Sequence, residues 1–262
     1  KSASAYLSRT PATAGNRKIW TWSGWVKLGD MSTTRLLFLG GTADGSSTRG
    51  TSLFIYPSTN GTSPYQLGLS SYGIGTNKSA IIFRDPSAWY HIVLSIDTTQ
   101  ATAANRTRLY VNGIENSFDT QNFAQNVDTG INSTTQHEIN GNFGVGVGDG
   151  YITEVNFVDG QALTPSDFGD TNEDTGVWQP IKYTGTYGTN GFYLPMNQTV
   201  ETYDATYLSV AGGGGGGGDQ GGAGGAGGLL TGTTSLIPNE IYTATVGAGG
   251  AGTTSVNNKG SN

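Results

Sequence analysis

The stretch from Trp89 to Gly113 leaves this chain few folds to choose from. It reads WYHIVLSIDTTQATAANRTRLYVNG. Tyr90, Ile92, Leu94 and Ile96 fall on one side of an extended backbone, with Trp89, His91, Val93 and Ser95 on the other. A two-residue period of this kind marks a half-buried β-strand. The following segment, Thr98 to Thr107, is polar and holds neither glycine nor proline. Arg108 to Val111 is the return strand. Asn112-Gly113 supplies the two positive-φ positions of a type I′ turn, so Ile114 onward should run back beside it. The rest of the first 200 residues reads as further strands added to this core.

Lys18 to Lys27, KIWTWSGWVK, packs three tryptophans into six residues. Aromatic side chains suit a pleated surface, which favours strand over helix. Trp20, Trp22 and Val26 share one face, and Trp25 falls on the other with Ile19. Gly24 marks a bulge or a close approach. Trp20, Trp22, Trp25 and Trp89 are assigned to core packing. Short strands are also expected at Ala5–Leu7, Leu36–Leu39, Leu53–Tyr56, Gln66–Leu69, Ala80–Phe83, His137–Asn140 and Tyr151–Val158. Their spacing suits a sandwich and leaves no room for helical crossovers. One helical turn is signalled at Leu163–Gly169, where Thr164 caps, Pro165 opens and Gly169 stops it.

Composition removes several function classes. Charged residues make up 12% of the chain, the formal charge is −6, and no basic run exists. Nucleic-acid binding needs clustered Lys and Arg and is not expected. No apolar run approaches the ~20 residues of a bilayer span, so membrane insertion is not expected either. Cysteine is absent, which excludes disulfides and thiolate metal sites. That absence favours a microbial or viral product over a secreted animal module.

The sandwich is expected over residues 1–200, and a glycine-rich unit over 201–262. Thr206–Val210 is a strand signal that runs into seven consecutive glycines, Gly212–Gly218. Ile241–Val246 is a second, running into Gly247–Gly252. Composition alone reads such tracts as flexible linker. The repeated arrangement points instead to polyglycine in a threefold extended helix, which lacks side chains and can pack closely. The sequence is expected to begin inside a longer polypeptide, and the glycine-rich unit to be incomplete at its end.

Four segments carry a resemblance: Trp20–Val26 (WTWSGWV), Trp89–Leu94 (WYHIVL), Leu109–Gly113 (LYVNG) and Gly150–Val155 (GYITEV). On these residues the first part of the chain resembles a laminin-G-like, concanavalin-A-like domain. The expected fold class is therefore all-β, an antiparallel β-sandwich followed by a glycine-rich β/polyglycine unit. The segments EVNFVDGQALTPSDFG from Glu154 and GVWQPIKYTGTYGTNGFYLP from Gly176 are similar to structural proteins of tailed, especially marine, bacteriophages. The tail is similar to glycine-rich regions of phage tail fibres and adhesins. Together these imply a virion appendage, located on the particle surface. Expected partners are identical subunits, as a trimer, other virion proteins and host surface glycans.

Site candidates follow from chemistry. Glycan recognition needs aromatic faces and polar groups on exposed loops. Tyr65 and Tyr72, near Asn60 and Asn77, offer these, as do Asn142 and Phe143. The competing reading has the tyrosines covering the ends of the sandwich. No cofactor is required; calcium is the one the resemblance implies, with Asp44, Asn142 and Asp149 in glycine-rich loops as oxygen ligands. Glycosidase chemistry needs two carboxylates ~5–10 Å apart. Glu154 and Asp159 lack the alternating spacing of such enzymes, so the protein is not expected to be one. His91 and His137 have no partner at metal or triad spacing and are expected to be packed or hydrogen-bonded in place. A purely structural module without a ligand is the alternative to attachment.

Overall fold

The structure is a computed structural model, and it describes residues 5–42, 49–142, 145–146, 149–196, 203–219, 221–236 and 241–254. The chain divides into two compact units, residues 1–197 and 198–262. In chain order the strands of the first unit are β1 (Leu7–Arg9), β2 (Ile19–Leu28), β3 (Arg35–Thr42), β4 (Arg49–Ile55), β5 (Gln66–Ser71) and β6 (Gly75–Ile82). Next come β7 (Trp89–Asp97), β8 (Thr107–Val111), β9 (Ile114–Asn116), β10 (Gln136–Ile139), β11 (Gly141–Asn142) and β12 (Val145–Gly146). The unit ends with β13 (Gly150–Asp159), β14 (Gly169–Thr171), β15 (Trp178–Pro180) and β16 (Phe192–Leu194). The second unit holds β17 (Tyr203–Val210) and β18 (Leu229–Leu236).

Two six-stranded antiparallel sheets pack into a β-sandwich. One runs β1-β10-β3-β4-β5-β6 and the other β16-β13-β2-β7-β8-β9. The expected alternation in β7 builds its core face: Ile92, Leu94 and Ile96 are buried between the sheets beside Trp20, Trp22, Leu53, Leu69 and Phe157. Across the layers, the ring of Phe38 in β3 lies 5.4 Å from Phe157 in β13 and 6.5 Å from Trp22 in β2. The β8–β9 turn adopts the expected conformation, with φ of 49° at Asn112 and 82° at Gly113. Gly24 stands opposite a bulge in β13, and its missing side chain also leaves room for the Trp22 ring. A Cβ there would stand 2.7 Å from the Trp22 ring.

The outer face of the β2 sheet carries a cover that the strand pattern did not announce. Residues 160–191 fold back over it through one 3₁₀ turn, Pro165–Asp167, and the β14–β15 hairpin. In that turn the Asp167 carboxylate accepts the Thr164 N–H at 2.9 Å. Phe168 and Tyr183 from the cover bury Val93, Tyr110 and Val158 of the sheet in a second small core.

Three sequence expectations need correction. Trp89 is not in the core: it is 40% exposed on the outer face. Trp25 is half-buried on that same face and stacks on His91. Both sit at the parity opposite Ile92 and Val26, and the outer face is only partly covered. Residues 241–246 are not a strand. Alternation alone does not make one; the ladder partner of β17 is β18, paired from Tyr203↔Leu236 to Val210↔Leu229.

Within the second unit the glycine tracts pack with a period of three. The N–H groups of Ala211, Gly214 and Gly217 donate to Gly228, Gly225 and Gly222, so residues 222–228 run antiparallel to the first tract. Those of Gly250 and Thr253 donate to Gly213 and Gly216, which sets a third tract parallel to the first. Every third residue faces a given neighbour, as the threefold extended helix requires.

Candidate functional site

Two cross-strand rows build the uncovered part of the outer face. Thr153, Trp25 and His91 lie in register across β13, β2 and β7, and Tyr151, Lys27 and Trp89 form the next row. The Trp89 and Tyr151 rings flank Lys27 with centroids 6.4 Å apart. From the cover, the β15 residue Trp178 closes over the first row. The result is a cleft of about 500 Å³ lined by Trp25, Trp89, Asn112, Thr153, Glu154, Val177, Trp178 and Pro180.

His91 locks the aromatic walls. Its ring stacks on Trp25, 5.0 Å and 15° apart, and on Trp178, 6.0 Å and 25° apart. Trp178 Nε1–H donates to His91 Nδ1 at 2.9 Å, and His91 Nε2 meets Ser23 Oγ at 2.9 Å. Because indole can only donate, Nδ1 must be unprotonated, which puts the ring proton on Nε2 facing Ser23. Asn112 ties the turn to the same residue, its Oδ1 accepting the His91 N–H at 2.8 Å. Gly113 and Gly169 form the seat of the indole. A Cβ on them would stand 2.8 and 2.6 Å from the Trp178 ring. The Trp25 indole N–H is buried without a hydrogen-bond partner.

Burial pushes the His91 imidazole down to about 4. The unfolded ring takes a proton near pH 6.5 while the folded ring stays neutral. The resulting stabilisation is full above that value and is lost as pH falls toward 4. Its size is about 3 kcal/mol. Buried His137 is shifted the same way and adds with the same sign. Thermal melts between pH 7 and pH 4 should show this loss, with a change in tryptophan fluorescence as Trp178 leaves its seat. A His91→Gln variant should show a shallower slope.

Glu154 reaches the cleft through a bulge. Thr153 pairs with Trp25 and Asn156 with Ser23, so Glu154 and Val155 both stand opposite Gly24. The bulge resets the alternation, so that Val155 and Phe157 enter the core. Glu154 takes a φ of 52°, outside the range that side-chain-bearing residues favour. Tyr193 in β16 donates its hydroxyl to Glu154 Oε2 at 2.6 Å. Burial, together with that carboxylate, pushes the Tyr193 hydroxyl up to about 12, so it remains a donor. Asp159 is elsewhere and engaged. It is buried and accepts the Asn16 N–H at 2.8 Å, the Asn190 N–H at 3.2 Å and the Asn132 side-chain amide.

The residues named from sequence are dispersed. Tyr65 precedes β5 and packs against the core, while Tyr72 follows β5 and is 55% exposed, so the two lie at opposite ends of one strand. Asn60 caps its own loop, and Asn77 is fully buried between Thr107 and Asn122. Asp149 meets the backbone N–H of Asp30 and lies near Arg35. Asp44, Phe143 and the Asn142 side chain lie outside the described residues. Among the described residues no group of three His, Cys, Asp or Glu is placed to hold a metal. A smaller hollow of about 290 Å³ opens between the sheets near Arg9, Phe38, Phe157 and Phe192. Several of its polar residues bond within it: the Asn132 N–H donates to His137 Nε2 at 2.8 Å, and Arg9 donates to the Asn190 carbonyl at 3.1 Å.

Sequence reasoning missed the cleft. Trp25 and Trp89 were available as signals, because both stand at the parity opposite the core. Trp178 was not, since nothing in VWQP shows that it folds back over His91.

The family model described as a glycine-rich domain matches residues 189–262. No curated protein sequence matches the chain. Among solved structures, a protein of Bacteroides ovatus assigned to carbohydrate binding is similar at 15% identity and a TM-score of 0.48, over 90% of this chain and 58% of that one. A SAP-like pentraxin of Limulus polyphemus, a heptamer, matches at 16% identity and 0.42, over 61% of this chain and 71% of its own. Domain 4 of a GH43 extracellular arabinanase of Geobacillus stearothermophilus, in complex with arabinotriose, matches at 18% and 0.39, over 58% and 65%. The chain thus spans under two thirds of the first and third of these. Likeness at this level carries no argument about ligand or activity; the cleft itself must do that.

Proposed function

We propose that the protein is a non-enzymatic attachment component of a bacteriophage appendage, a tail fibre or surface fibre, that holds host-surface carbohydrate in the tryptophan cleft. The observation that carries this is the lining: the rings of Trp25, Trp89 and Trp178 beside Asn112, Thr153 and Glu154. Sugar rings present an apolar C–H face and a rim of hydroxyls. A site with aromatic walls and a few placed polar groups matches both. The appendage reading is supported by the phage-like segments, which include the cover that carries Trp178, and by the packed polyglycine unit. We also propose a homotrimer; self-association, without its number of copies, is supported by the second unit. Leu208, Val210 and Leu229 share one face of a two-stranded ribbon and are each more than half exposed. Such a ribbon is marginal alone. Several weak sites on one fibre gain avidity through effective concentration.

Trp89 suits the test because it lies outside the core. Trp89→Ala should weaken binding to purified bacterial surface polysaccharide by about 30-fold, the effect of losing a central aromatic contact. The melting temperature should hardly move. Undiminished binding in this variant would overturn the assignment of the cleft.

A further inference from the structure

Taking the cleft as the carbohydrate site, we infer that it selects uncharged sugars and rejects uronate-, sialate- and sulfate-bearing ones, with Glu154 as the specificity-determining residue. The lining holds one carboxylate and no cation. Tyr193 occupies Glu154 Oε2 and holds the side chain in place, and no described residue hydrogen-bonds Oε1. A held carboxylate oxygen beside aromatic walls accepts sugar hydroxyls and repels an anionic group brought to the same place. On the same face, Lys27 sits one row away between Trp89 and Tyr151 and outside the lining. Its charge acts on Asp85, whose carboxyl is held low by Ser87 first and by Lys27 in smaller part.

The backbone at Glu154 adds a second, independent observation. A glutamate with φ of 52° in a two-against-one bulge is a costly local choice. Regular pairing would turn position 154 inward with Ile152. The bulge instead keeps the carboxylate on the outer side, where Thr153 anchors the neighbouring backbone by donating its hydroxyl to the Pro195 carbonyl at 2.6 Å. Bulges re-aim side chains in this way next to binding sites, and strained backbone gathers there.

The test uses the full chain and matched oligosaccharides, neutral hexose oligomers against oligogalacturonate and sialylated oligomers, titrated calorimetrically. The neutral set should bind at least about tenfold more tightly than the anionic set at low salt, and the gap should narrow as ionic strength rises. Glu154→Gln keeps the shape of the side chain and should bring the two sets together. Tyr193→Phe, which frees Oε2 without removing the charge, should retain the discrimination. Equal or tighter anionic binding by the wild type, or an unchanged ratio in Glu154→Gln, would overturn this inference and leave the cleft standing. Binding of neither set, or binding indifferent to Trp89→Ala, would overturn the carbohydrate reading and this inference with it.

Discussion

Gly224→Ala is expected to unfold the glycine-rich unit, whereas Gly225→Ala, one residue along, leaves it intact. A Cβ at Gly224 would overlap the Gly214 carbonyl, and one at Gly227 would overlap the Ala211 carbonyl. Backbone cannot step aside as a side chain does, so each change should cost about 3 kcal/mol or more, the upper end of overpacking. At Gly222, Gly225 and Gly228 a Cβ meets nothing within 4 Å. The unstrained positions are three apart, and so are the forbidden ones. Alanine already occupies 223 and 226, the remaining class. Alanine scanning of 222–228 with limited proteolysis should therefore give a period of three. Uniform tolerance would mean that the tract is an unpacked linker.

Gly113→Ala is expected to disturb the binding cleft although it lies in a turn. Two costs combine: a side chain at φ of 82°, and a Cβ 2.8 Å from the Trp178 ring. Gly160 separates them, because its φ is 83° and a Cβ there meets nothing within 4 Å. Gly160→Ala should cost only the conformational part, about 1–2 kcal/mol. Gly113→Ala should cost about 1–3 kcal/mol more through overpacking. It should also shift tryptophan fluorescence and weaken carbohydrate binding. Equal effects from the two variants would mean that the turn does not seat Trp178.

These two glycines show where sequence reading stops. The period-2 pattern of Trp89–Ile96 and the Asn112-Gly113 turn are local signals, and both were legible. The same turn's second task, holding Trp178, depends on contact between residues 113 and 178, and no local pattern encodes it. The bulge at Glu154 was half legible. Ile152 on one parity and Val155 and Phe157 on the other announce a reset, but Tyr151–Val158 reads as continuous unless that change of phase is noticed. Trp25 and Trp89 were assigned to core packing, although their own parity pointed outward. The threefold packing of polyglycine was legible as a possibility of the chemistry. Which glycines must stay glycine was not, because that depends on which tract faces which.

The central claim is that ligand binds on the outer face, between the sheet and its cover. The chain has five tryptophans, and two of them, Trp20 and Trp22, are buried between the sheets. Trp25, Trp89 and Trp178 line the cleft. The most direct test is a two-dimensional NMR titration of the five indole N–H signals with neutral hexose oligomers. The account predicts saturable shifts for Trp25, Trp89 and Trp178, with Trp20 and Trp22 unmoved. Binding that leaves all three cleft signals in place would contradict it.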